Sequence, residues 1–186
     1  MQSPLPPFPP ARGKPIDDAP LHACGIRLRR AGEADLPALM RIHHLWRQKD
    51  LLLAPWTAAQ KQLFLDDQFR LQHVHYVAHR PKADFYAIVS AERDGAVLGK
   101  LYLDRSAAEW RIVDLLLDTA LRGRGVGTAL IRWIQDAALQ AGATGVSLQV
   151  GINNPQAQAF YERLGFVELP GGDSINRTLL WTAAPR

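Results

Sequence analysis

The chain has 186 residues, 47% apolar and 22% charged, a balance ordinary for a globular domain with its own core. Its 22 basic residues outnumber the 18 acidic ones by four, and no face or tail concentrates the excess, so nucleic acid is not an expected partner. One cysteine, Cys24, excludes an intramolecular disulfide and a cysteine metal cluster, and no apolar run approaches a membrane span.

Residues 1–20 are dense in proline and almost free of periodicity. They predict a disordered, polyproline-like extension outside the domain, or else a ligand for a proline-binding module, with residues 1–22 as tail and 23–186 as one domain. The tail lacks the apolar segment of a secretory signal, so a cytoplasmic enzyme or binding domain is expected. Alternating apolar and basic residues from Gly25 to Arg30 predict a strand. A helix follows, with Asp35 as its cap, Pro37 in the first turn, and Leu36, Leu39, Met40, Ile42 or His43, and Trp46 on one face.

Residues 51–56 break that pattern, and Thr57 with Gln60 forms a capping box for a second helix to about Ala78. Leu63, Phe64, Phe69, Leu71, Val74 and Val77 are its expected apolar side. His75 and His79 share a helix face but lack a third ligand or an HExxH pattern, so no metal is expected. Residues 84–91 and 96–103 read as a hairpin turning through Glu92-Arg-Asp-Gly95. The central strand starts near Glu109 or Trp110 and ends in Leu115, Leu116 and Leu117, apolar on both faces.

Immediately after that strand come Arg122, Gly123, Arg124, Gly125, Val126, Gly127 and Thr128, opening an amphipathic helix to about Ala141. Its expected buried positions are Leu130, Trp133 or Ile134, Ala137 and Ala141, with Gly142 as the stop. Three alternate glycines let backbone approach something large. The first four amides of a helix have no internal partner, and with two arginines beside them they suit phosphate. This stretch is expected to hold a pyrophosphate-bearing ligand. A strand over 145–150, a helix from Pro155 to Leu164 capped by Asn154, and strands over 166–169 and 175–181 complete a mixed α/β domain without internal repeats.

Three segments in this order carry a resemblance: Arg122-Gly-Arg-Gly-Val-Gly127, Asn154-Pro-Gln-Ala-Gln-Ala-Phe-Tyr161 and Tyr161-Glu-Arg-Leu-Gly-Phe166. Together they resemble the GNAT N-acetyltransferase family over about residues 25–182. The resemblance implies a mostly antiparallel sheet of about seven strands flanked by helices, splayed at the two central strands. It implies acetyl-CoA as cosubstrate. The amides from Gly123 to Thr128 would hold the pyrophosphate, residues 115–117 and Asn154 would hold the pantetheine arm, and Tyr161 would protonate the departing thiolate. Backbone donors of the central strand would stabilise the oxyanion.

Many members carry an acidic residue near the start of the central strand. That position is about Arg111 here, with Glu109, Asp114 and Asp118 nearby; Asp114 is the candidate base acting through water, or else part of a structural salt bridge. The acceptor, a small-molecule or peptide amine, would bind between residues 50–56 and 170–174. Asp66, Asp67, Glu109 and Asp114 could supply negative charge there, and Trp56 and Phe85 an apolar wall. Homodimer pairing through the last strands is common in proteins of this kind. A Rossmann site or a P-loop fits poorly, since the loop reads G-x-G-x-G and contains no lysine. An acyl-CoA-binding sensor or interaction module is the rival from another class.

Overall fold

The computed structural model describes residues 4–10, 13–92 and 95–183. In chain order its elements are α1 (Ala19–His22), β1 (Ile26–Arg30), α2 (Leu36–Arg47), α3 (Ala58–His79), β2 (Asp84–Ser90), β3 (Val97–Asp104), β4 (Glu109–Leu117), α4 (Val126–Gln140), β5 (Gly145–Gly151), α5 (Pro155–Glu162), β6 (Val167–Glu168) and β7 (Asn176–Thr182). The strands form one seven-stranded sheet in the order β1-β2-β3-β4-β5-β7-β6. Neighbours are antiparallel except β4 and β5, which are parallel. This is the mixed, mostly antiparallel sheet that the family resemblance implies. Among the described residues no helix is long and apolar enough to cross a membrane.

The sheet is covered on both sides, which is why β2 reads as a nearly continuous apolar run. On one face Leu101, Leu103, Ile112, Val146 and Leu148 pack against Leu130, Ile131 and Ile134 of α4, with Phe160 and Tyr161 of α5 at the margin. On the other face α2 and α3 cover Phe85 and Tyr102. At the β2–β3 turn, Gly95 has the positive φ expected there, while Arg93 and Asp94 lie outside the described residues.

Two expectations about the helices change. The capping box of α3 forms, with Thr57 Oγ1 accepting from the Gln60 amide and Gln60 Oε1 from the Thr57 amide. Of the expected apolar side of α3 Phe69 is buried, but it is joined by Leu65 and His73, while Leu63, Leu71 and Val74 are exposed. Apolar residues are spread around this helix, so composition alone does not select a face. Asp35 does not cap α2 with its side chain. Its buried carboxylate instead accepts from the Gly32 amide at 2.8 Å and from both guanidinium ends of Arg29 at 2.6 and 2.7 Å, tying β1 to the turn before α2.

The proline-rich N-terminal stretch is extended, as its residues dictate, but it lies against the domain. Leu5 and Phe8 pack on the cluster of Leu36, Leu39 and Phe69. The Phe8 ring also meets His73 and Phe85, and His73 Nε2 donates to the Pro6 carbonyl at 2.8 Å. Farther on, Trp133 Nε1 donates to the Asp17 carbonyl, Asp18 accepts from the Leu28 amide, and Leu21 is fully buried. Apolar side chains spaced by prolines cover the α2–α3 face without showing any helical or strand period.

Burial alone would push the Asp35 carboxyl up, but the hydrogen bonds from Arg29 and Gly32 hold it below the usual carboxylate range. A lowered carboxyl stabilises the fold above its unfolded value, near pH 4, and loses that contribution as pH falls through the lowered value. Asp35→Ala is expected to cost about 2 kcal/mol at pH 7. That corresponds to a drop in Tm of roughly 4–8 °C. The gap between the two proteins should narrow as pH falls below about 4 in thermal scans; a gap independent of pH would contradict the assignment.

Candidate active site

Strand β4 pairs with β3 along its length, with one slip: Tyr102 stands opposite Asp114 and Leu103 opposite Ile112, leaving Val113 as an extra residue. Such a β-bulge bends the strand and shifts the phase of its side chains. A regular strand would put residues 112 and 114 on one face. Here Ile112 joins the core under α4, whereas Asp114 stands with Tyr102 on the face under α2 and α3. The parallel ladder with β5 stops at the same place, its last pair being Ile112 with Leu148. Residues 113–117 and 149–151 then diverge without ladder bonds, opening a cleft of about 460 Å³.

One end of the cleft is built from the loop into α4. Asp118 braces it, accepting from the Ala120 amide at 3.0 Å and from Arg41 at 3.1 Å. Gly123 and Gly125 have φ of 70° and 75°, a left-handed backbone that other residues resist. Gly125 is the N-cap of α4 and no side chain caps the helix, so its first amides remain available to an anion. Gly127 is not left-handed, and a Cβ there would make only ordinary contacts, 3.4 Å to the Phe160 ring and 3.7 Å to Leu117. The Arg122 guanidinium lies over the Trp46 ring, 5.7 Å from its centroid, and lines the cleft. Arg124 does not; it lines a separate cavity with Cys24, Ser90 and Leu98.

Farther along, Asn154 and Tyr161 enter from α5. Asn154 Oδ1 caps the helix, accepting from the Ala157 amide at 3.3 Å, which leaves its amide nitrogen as a donor. Tyr161 packs between the rings of Phe160 and Phe166. Burial first, and then the Asp114 carboxylate, push its phenol up to about 12. It therefore stays protonated through the neutral range.

Asp114 lies where the cleft meets a second cavity, of about 270 Å³, under α2 and α3. Its Oδ2 is 2.5 Å from Nζ of Lys100, a buried lysine ringed by Phe69, Tyr76 and Tyr102 and hydrogen-bonded to Gln72. His43 and Arg47 also line this second cavity. Burial first, then Lys100, His44 and Arg47, lower the His43 imidazole to about 4, so it is neutral at physiological pH.

The cleft thus brings together Asp114, Leu115, Leu117, Arg122, Gly127, Asn154 and Tyr161 among the residues expected from sequence. Leu116 faces the second cavity instead. Arg111 and Glu109 sit on the paired part of β4, away from the split, and Asp118 is engaged by Arg41. Asp66 faces His44, and Phe85 is core. His75 and His79 stack on each other at the helix surface. Sequence reasoning missed Lys100 and placed Trp46 only as a packing residue. A lone lysine inside the apolar run of β3 was the available signal.

The pattern of the Acetyltransferase (GNAT) family matches residues 41–166. An uncharacterized N-acetyltransferase of Methanocaldococcus jannaschii is 45% identical over 64 residues, 34% of this chain and 27% of that protein. The N-alpha-acetyltransferase 30 of Xenopus laevis is 30% identical over 127 residues, 63% of this chain and 46% of that protein. The chain therefore spans less than half the length of either relative. In fold it is similar to the PaiA N-acetyltransferase from Thermoplasma acidophilum, solved in complex with coenzyme A. The TM-score is 0.63 at 15% identity, over 85% of this chain and 99% of that one. With the family pattern running from α2 through the bulged strand and the α4 loop to Phe166, the chain belongs to the GNAT acetyltransferase family.

Proposed function

We propose that the chain is an acetyl-CoA-dependent N-acetyltransferase that acetylates a primary amine by direct attack within a ternary complex. The observation that carries this reading is one continuous cleft, with an uncapped helix N-terminus at one end and Tyr161 and Asp114 at the other. Bound acetyl-CoA supplies a thioester carbonyl and a thiolate leaving group. The amides from Gly123 to Thr128 hold the pyrophosphate, with Arg122 as the arginine that faces the cleft. Arg124, turned to another cavity, contributes less. The backbone of residues 115–117 on the side left without a β5 partner and the Asn154 amide nitrogen bind the pantetheine arm, much as an added strand would. Backbone donors of β4 face the oxyanion.

Asp114, held at the junction by Lys100, takes a proton from the acceptor's ammonium through water, and the neutral amine so formed attacks the thioester carbonyl. Tyr161 gives its phenolic proton to the departing sulfur. A small-molecule amine is favoured because the cavity beyond Asp114 is about 270 Å³, the size of a small ligand. The printed name of the Xenopus relative supports a second reading, an N-terminal α-amine of a peptide.

Release of free thiol from acetyl-CoA in the presence of primary amines tests the proposal. A phenol held at about 12 contributes no limb to the rate profile between pH 6 and pH 10. Tyr161→Phe keeps the ring packing and is expected to lower kcat about a hundredfold across that range; full turnover would leave Tyr161 with packing alone. Asp114→Asn is expected to lower turnover at neutral pH and to lose less at high pH, where more of an amine with a pKa of about 10 is already deprotonated. An unchanged pH–rate profile would remove Asp114 from the mechanism.

A further inference from the structure

The cavity beyond Asp114 has an electrostatic character that a cationic acceptor would not match. It opens from the cleft at Trp46, Asp114 and Leu115, which line both spaces. Its own walls carry two fixed cations, Arg47 and Lys100, against a single carboxylate, Asp114. That carboxylate is already matched by Lys100 at 2.5 Å. The other acidic groups expected on this side do not line it: Asp66 faces His44, Asp67 is exposed on α3, and Glu109 lies on the paired end of β4.

Arg47 is half exposed and its Nη1 meets Asp50 at 3.1 Å, with Asp50 also half exposed. An ion pair in that setting is weak and readily exchanged for another anion. His43 is 94% buried in the cavity wall, and its Nδ1 has no hydrogen-bond partner among the described residues. The neutral imidazole adds no compensating negative charge, and its lowered titration reflects the cations around it as well as burial. The amides of Gln68 and Gln72 supply the remaining polar surface.

We propose that this cavity accepts a small amine that also carries a carboxylate, its amino end at the junction by Asp114 and its carboxylate on Arg47. Arginine's fork of donors suits a carboxylate, and the excess cation in the wall disfavours a diamine. The assignment of the amino end to the junction rests on the acetyltransferase reading above.

The test is thiol release from acetyl-CoA with glycine, β-alanine and γ-aminobutyrate, each compared with its own amide and with the diamine of matching length. In the best-matched length kcat/KM should favour the carboxylate by about tenfold or more. Arg47→Gln should raise KM for the carboxylate and bring the carboxylate-to-amide ratio near one, with Arg47→Lys keeping part of the preference. Amides or diamines used as well as the carboxylates at every length would overturn the inference, as would equal losses for carboxylate and amide in Arg47→Gln. If no amine releases thiol, the acetyltransferase reading fails, and calorimetric binding of the same compounds still decides the cavity's preference. Carboxylates bound over amides by the native chain and not by Arg47→Gln would support it; equal binding would overturn it.

Discussion

The broken ladder between β4 and β5 is the constraint from which the rest of this structure follows. Past Ile112 and Leu148 two neighbouring strands continue without pairing, although each keeps its ladder on the other side. Backbone donors and acceptors left in such a gap need partners from water or a ligand. The Val113 bulge sits at the point of divergence and is the local device that bends β4 away. Because β4 leads directly into the glycine loop, the same gap ends at the uncapped start of α4. A ligand with an extended amide arm and a pyrophosphate meets both features at once.

The bulge also decides where charge goes. By changing the phase of β4 it brings Asp114 to the face that holds Lys100, and the two meet in a largely apolar surround. Removing two charges from water is costly, and a buried pair is weak evidence for stability. Its value here is positional: Lys100 keeps one carboxylate at the junction of two cavities. Tyr161, by contrast, is pushed toward its neutral form by burial and by that same carboxylate. The cleft thus sets a phenol held protonated beside a carboxylate paired to a lysine.

Much of this was legible in the residues. The order of strands and helices, the Thr57–Gln60 box and the helix after Gly125 follow from turn chemistry and capping, while the meeting of Asn154 and Tyr161 in one cleft with Arg122 and Gly127 was implied by the resemblance to the GNAT family. What was not legible depends on tertiary context. Leu63, Leu71 and Val74 look like a core face of α3 together with Phe69, yet Leu65 and His73 join Phe69 there instead because the sheet and the N-terminal segment together choose the side. A bulge of one residue leaves no mark in an apolar run, so the side on which Asp114 emerges could not be read. Nor could the separation of Arg122 from Arg124, since left-handed glycines between and after them turn the chain. The Phe8 contacts lack a period of any kind, and only packing reveals them.

The most direct test of the account is amide hydrogen exchange of the chain with and without acetyl-CoA, read residue by residue. Acetyl-CoA should slow exchange in two places together, residues 113–117 of β4 and residues 125–128 at the start of α4, with NADH slowing neither. Protection confined to the cavity beside Arg124 and Cys24, or no protection at the split between β4 and β5, would contradict it.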